Sequence, residues 1–184
     1  MGKILIVAAL KSEFFTANTL NHEVIYSGVG KINAARTLTE QMLKNEPDLV
    51  VNVGTAGSLK PDLSGLFIVR DVIEHDMSAE PLAPRGSTPF DSVSPILSSD
   101  LGNVRCATGD SFVTEVDPWL IKNSVDLVDM ELFAIAKICS FYGVKWRSLK
   151  YVSDYVDANA STDWNNSLER ASHEIQNAIQ ELLN

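Results

Sequence analysis

The sequence predicts an α/β domain built on a largely parallel sheet, and three observations carry that prediction. Ile4–Ala9 and Leu49–Val53 are continuous apolar runs rich in β-branched residues, the pattern of strands buried on both faces. Such runs alternate with amphipathic stretches whose apolar residues recur three and four apart. The chain of 184 residues falls within the single-domain range and is long enough to bury roughly 70% of its unfolded surface. Residues 1–184 are therefore expected to form one domain.

In chain order, the first buried strand is followed by a shorter one at Glu23–Ser27, broken by Gly28-Val29-Gly30. Ile32–Lys44 reads as a helix with Ala35, Leu38 and Met42 on one face. Leu49–Val53 is the second buried strand, and Gly54-Thr55-Ala56-Gly57 is expected to turn the chain at its end. Leu66–Ile73, Val104–Ala107 and Val125–Val128 read as further strands. Residues 78–99, with Pro81, Pro84, Pro89 and Pro95 among many serines, show no period and read as a long loop, a class usually functional or mobile. Asp129–Tyr142 is expected to be helical, with Leu132, Ile135, Ala136 and Cys139 facing inward, and Trp146–Val152 to be a strand ending at Ser153-Asp154. Leu168, Ala171, Ile175, Ala178, Ile179 and Leu182 mark a last amphipathic helix.

Composition removes several functions. With 15 Lys and Arg against 24 Asp and Glu, the net charge is −9, and no basic face is left to release counterions from nucleic acid. Cys106 and Cys139 are far apart, without a CxxC or a histidine cluster, so neither a disulfide framework nor a metal site is expected. The apolar start, Ile4 to Leu10, is followed at once by Lys11, Ser12 and Glu13. It is too short for a membrane span and lacks a cleavage pattern, so a cytoplasmic location with no membrane partner is expected.

Gly28-Val29-Gly30 sits where a dinucleotide fingerprint would, but Asn33 replaces its third glycine and no suitable acidic residue follows. Walker A, GxSxG and HExxH motifs are absent, and no cofactor is expected. Ligands of open α/β sheets collect at the carboxyl ends of strands. That draws attention to Gly54–Gly57 and to three carboxylates: Glu13 past the first strand, Asp154 past Trp146–Val152, and Glu131 in the first turn of its helix. All three are expected at one sheet edge, with Glu13 and Asp154 available as base and acid. Plainer roles compete, since Asp129 and Glu131 suit a helix dipole and Asp154 suits a turn cap. His75, beside Asp76, is read as structural, and Trp119, Trp146 and Trp164 as packing residues.

Six blocks occur in order: Ala8-Ala9-Leu10-Lys11-Ser12-Glu13, Ser27-Gly28-Val29-Gly30-Lys31, Val51 to Gly57, Thr108-Gly109-Asp110-Ser111-Phe112, Val128-Asp129-Met130-Glu131 and Val152-Ser153-Asp154. The series resembles the purine nucleoside phosphorylase/nucleosidase superfamily, and within it the 5′-methylthioadenosine/S-adenosylhomocysteine nucleosidases most of all. The resemblance implies a three-layer α/β fold with a central mixed, largely parallel sheet, and hydrolysis of a purine N-glycosidic bond through an oxocarbenium-like transition state. It also implies a homodimer.

Residue by residue, Glu13 matches the carboxylate that activates water, Asp154 the acid that protonates the purine N7, and Glu131, with Met130, the ribose contacts. Phe112 matches the ring stacked on the base, Val113 a backbone contact beside it, and Thr55 a small hydroxyl residue near the nucleophile. Ala56, Gly57, Asp129 and Ser153 complete the expected substrate-binding set. Lys150 stands where the nucleosidases carry an arginine that contacts water.

Phosphorylases of the superfamily bring a basic residue to the strand before the Gly-rich segment, to hold phosphate. The position here is Asn52, so hydrolysis is preferred over phosphorolysis, and a non-catalytic purine-binding protein of the same fold is the alternative from another class. The chain is shorter than the nucleosidases it resembles. It has no room for their hairpin between Glu13 and Ser27, and no helix is expected before Thr108. Residues 74–90 depart from the usual 5′-alkylthio pocket, which leaves the 5′-substituent of the nucleoside open.

Overall fold

The computed structural model describes residues 2–15, 22–157 and 160–183. Among them are eight strands and five helices: β1 (Ile4–Ala8), β2 (Glu23–Tyr26), α1 (Lys31–Asn45), β3 (Leu49–Ser58), β4 (Gly65–Glu74), β5 (Ile96–Ser98), β6 (Val104–Thr108), α2 (Pro118–Lys122), β7 (Leu127–Asp129), α3 (Leu132–Tyr142), β8 (Lys145–Tyr155), α4 (Ala160–Ala178) and α5 (Gln180–Leu183). The expected α/β alternation is present. Two short elements, β5 and α2, carry no period in the sequence, although Asp117 and Pro118 supply the cap and first residue of α2 in the order helix starts favour.

The sheet is mixed. β1–β2, β1–β3, β3–β8, β4–β6 and β6–β7 pair in parallel, while β3–β7, β4–β5 and β4–β8 are antiparallel. β3, β8, β4, β6 and β7 close into a ring of hydrogen-bonded neighbours, from which β1 and β2 extend on one side and β5 on the other. Closure leaves these five strands without a free edge.

Helices cover both faces, which gives the three layers. Leu5, Val7 and Val50 pack with Ala34, Leu38 and Met42 of α1 and with Leu132, Ile135 and Cys139 of α3. Ile4, Ile6, Val51, Val53 and Leu149 face Ala171 and Ile175 of α4 and the Ile179–Leu183 end of the chain. Alternate residues of one strand thus serve opposite layers, the reason β1 and β3 read as unbroken apolar runs. On α1 the buried seam runs through Ala34, with the expected Ala35 at its margin.

Three expectations need correction. Gly54–Gly57 is not a turn, because β3 continues to Ser58 and pairs with β8 throughout. The small residues serve close packing instead: a Cβ on Gly54 would lie 3.3 Å from Glu13 Oε1, and one on Gly57 2.9 Å from Asp154 Oδ2. Asp154 lies within β8, not past it. Opposite Ala56 and Gly57, β8 presents Val152 and then Asp154, so Ser153 is an extra residue; such bulges re-aim side chains. Finally, α3 begins at Leu132, so Asp129 ends β7 and Glu131 precedes the helix as its cap residue instead of lying in its first turn.

Candidate active site

A cavity of about 280 Å³ opens where the ends of β1, β3, β7 and β8 meet, near the lower bound for small-molecule sites. Glu13, Thr55, Ala56, Gly57, Phe112, Val113, Asp129, Met130, Glu131, Ser153 and Asp154 all line it. Eleven of the twelve positions singled out in the sequence therefore meet in one place. Ala9, Leu10, Val29, Ser111, Val128 and Trp164 complete the wall.

Glu13 is buried and held at both oxygens. Oε1 accepts the Thr55 backbone N–H at 3.0 Å and the Thr55 hydroxyl at 2.6 Å, while Oε2 accepts the Leu10 N–H at 3.1 Å. The carboxylate thus accepts three hydrogen bonds, and Oε2 is its less occupied oxygen. Trp164 reaches the same group from α4, its indole Nε1 donating to Thr55 Oγ1 at 2.9 Å.

Asp154 is also buried, and burial pushes its carboxyl above the usual carboxylate range. The Ser153 hydroxyl, donating to Oδ1 at 2.6 Å, opposes that shift, and the charges of Asp163 and Asp157 add to it. A carboxyl whose proton affinity is raised by burial thus lines the same cavity as a carboxyl group that accepts hydrogen bonds on both oxygens.

Glu131 is set by the Gly28-Val29-Gly30 segment. Gly30 adopts φ 94°, a left-handed conformation natural to glycine, and its N–H donates to Glu131 Oε1 at 2.9 Å. Burial, followed by the Asp129 charge, pushes Glu131 up to about 7, against the pull of Lys150 and the Gly30 N–H. The Lys31 ammonium bonds Glu74 at 2.6 Å and Asp76 at 2.5 Å, and its backbone N–H donates to Asp110 Oδ1 at 2.8 Å. These bonds tie the glycine segment to the loop that carries Ser111, Phe112 and Val113.

Lys150 is the twelfth position, and it is not part of the cavity wall. Its ammonium is buried and bonds Asp129 Oδ2 at 2.8 Å. Burial opposes that charge, but Asp129 and Glu131 outweigh it and raise the Lys150 pKa. The Asp129 carboxylate also accepts the Thr108 hydroxyl at 2.5 Å and the Leu132 N–H at 2.9 Å. Although Asp129 touches the cavity, its oxygens are engaged by the protein itself.

Trp164 is the residue that sequence reading missed as a site group. It lies four residues before Leu168, so the amphipathic stripe of α4, extended by one turn, would have carried it to the strand ends. His75 lies outside the cavity, packed so that a Cβ on Gly109 would fall 2.3 Å from its Nε2. Among the described residues, no group of three His, Cys, Asp or Glu side chains is arranged to hold a metal ion. No described helix is long and apolar enough to cross a membrane.

The sequence pattern of the Phosphorylase superfamily matches residues 8–184. The chain is 29% identical over 195 aligned residues to a 5′-methylthioadenosine/S-adenosylhomocysteine nucleosidase of Staphylococcus aureus, covering 93% of this chain and 86% of that protein. The fold is similar to a Helicobacter pylori MTAN mutant crystallised with 5′-methylthioadenosine in the active site. The TM-score is 0.89 at 21% identity, over 100% of this chain and 98% of that one. It is also similar to futalosine hydrolase of Helicobacter pylori, with a TM-score of 0.83 at 24% identity over 95% and 94% of the two chains.

Proposed function

The chain belongs to the Phosphorylase superfamily, and from that premise we propose that it hydrolyses the N-glycosidic bond of a purine nucleoside related to 5′-methylthioadenosine or S-adenosylhomocysteine. The observation that carries the proposal is the pairing of Glu13, fixed by three donors, with Asp154, whose carboxyl is raised by burial, in one cavity.

In this reading, Glu131 accepts hydrogen bonds from the ribose hydroxyls, with Met130 against the sugar. Phe112 stacks on the base, and the Val113 backbone lies beside it. Asp154 gives its proton to the purine N7 as the C1′–N9 bond breaks, and the bonding electrons pass into the ring. Water attacks C1′ and yields one proton to Glu13. Nucleoside and water thus become free base and ribose derivative, with the two carboxyl groups left to exchange one proton with solvent.

Glu13→Gln and Asp154→Asn are each expected to lower base release by about 10²–10⁴-fold. The panel is adenosine, inosine, 5′-methylthioadenosine, S-adenosylhomocysteine and futalosine, followed by chromatography of the free base. Unchanged rates in both variants, or no release from any member by the wild type, overturn the reading. The proposal includes a cytoplasmic homodimer. Phe112 and Val29 line the cavity yet remain exposed, an apolar rim that a second copy would cover. Light scattering should give twice the chain mass.

A further inference from the structure

We propose that Trp164 is a positioning residue for the water-activating carboxylate, its indole N–H setting the direction of the Thr55 hydroxyl. The inference rests on the hydrolytic reading above and extends it to a group from the helix layer that no part of that reading uses.

An indole nitrogen only donates, whereas a hydroxyl has one proton and two acceptor positions. The 2.9 Å contact between Trp164 Nε1 and Thr55 Oγ1 therefore has a single sense, with Trp164 donating. Thr55 must then place its own proton elsewhere, and Glu13 Oε1 is 2.6 Å away. The Thr55 backbone N–H takes the other acceptor direction of the same oxygen at 3.0 Å.

Oε1 is thereby saturated, and the carboxylate can neither rotate nor exchange its oxygens without breaking bonds to a buried threonine. Among the described residues, Oε2 accepts only the Leu10 N–H and is left to take the proton of water. A phenylalanine at position 164 would fill the same wall but direct nothing. The Thr55 hydroxyl would then be free to turn away, and the base would lose its fixed orientation, a loss felt in the chemical step more than in substrate binding.

The test is a double-mutant cycle with Trp164→Phe and Thr55→Val, using the best nucleoside of the panel. Trp164→Phe is expected to lower kcat about 5–20-fold with KM changed by less than about 2-fold. In the Thr55→Val background the same substitution should cost nothing further. Additive losses, or a loss confined to KM, overturn the positioning role and point to Trp164 as a packing wall.

A second measurement does not depend on turnover. The ¹⁵N–¹H indole signal of Trp164, assigned by its disappearance in Trp164→Phe, should shift in Thr55→Val while those of Trp119 and Trp146 stay in place. A signal that does not move, in an enzyme that turns over normally, defeats the relay and leaves the hydrolytic reading intact. An inactive wild type defeats both.

Discussion

Glu131 shows how far one residue's environment can set a testable property. Its carboxyl is pushed up to about 7 by burial and by Asp129, above the value an unfolded chain would give. The folded state therefore holds that proton more tightly than the unfolded state does. The resulting stability is complete below the ordinary glutamate value of about 4.5 and is lost as pH rises through about 7. A glutamine keeps an acceptor for the Gly30 N–H but carries no charge to desolvate. Glu131→Gln should therefore exceed the wild type in stability by about 1–3 kcal/mol at pH 8 and show little difference near pH 4. Thermal midpoints of the two proteins across that range supply the check, and parallel curves exclude the assigned cause. The same variant should lose ribose binding, so stability gained and activity lost would come from one carboxylate.

At the scale of elements, the β7–α3 junction is fixed from below by a buried ion pair. Lys150 of β8 bonds Asp129, and Asp129 in turn takes the Thr108 hydroxyl and the first free N–H of α3. The Thr108 hydroxyl also accepts the Phe133 N–H at 2.9 Å. Breaking one side of such a pair leaves an unpaired buried charge, so Lys150→Met should cost about 3–5 kcal/mol. Combining it with Asp129→Asn should recover part of that loss in urea unfolding, because no charge is then stranded. An equal or larger loss in the double variant would assign the network to packing instead. This junction also marks the boundary of what the sequence could tell. The strands were legible because both faces of β1 and β3 are apolar, and the helices because one face is. Their ends were not, because Gly54–Gly57 has a turn's composition and a strand's position. What makes those residues small is the approach of Glu13 and Asp154, a contact between distant segments that no local pattern records. Eleven positions that line the cavity were legible from ordered blocks, whereas Lys150 lies behind the wall and Trp164 sits one turn beyond the apolar stripe read for α4.

For the whole molecule, the net charge of −9 acquires a meaning beyond the exclusion of nucleic acid. The described cavity wall includes Glu13, Asp129, Glu131 and Asp154 but no Lys, Arg or His. Asn52, at the position where a phosphorylase would place a basic residue, is instead buried, donating to the Val7 carbonyl at 3.1 Å and accepting the Ser148 hydroxyl at 3.0 Å. A phosphate ion brought within about 4 Å of the Glu13 carboxylate would meet a repulsion of about 4 kcal/mol per unit charge at an effective dielectric of 20. Water meets none, and would lose its proton to that carboxylate in the proposed reaction. Base release should therefore be insensitive to phosphate, changing by less than about 2-fold when phosphate replaces chloride at matched ionic strength. The sugar product should carry no phosphate ester by mass. Acceleration by phosphate, with a phosphorylated sugar, would require a cation that this wall does not hold, and would transfer the chain from hydrolysis to phosphorolysis. Tight purine binding with no release under either condition would instead identify a binding protein, in which the same acidic wall serves recognition without turnover.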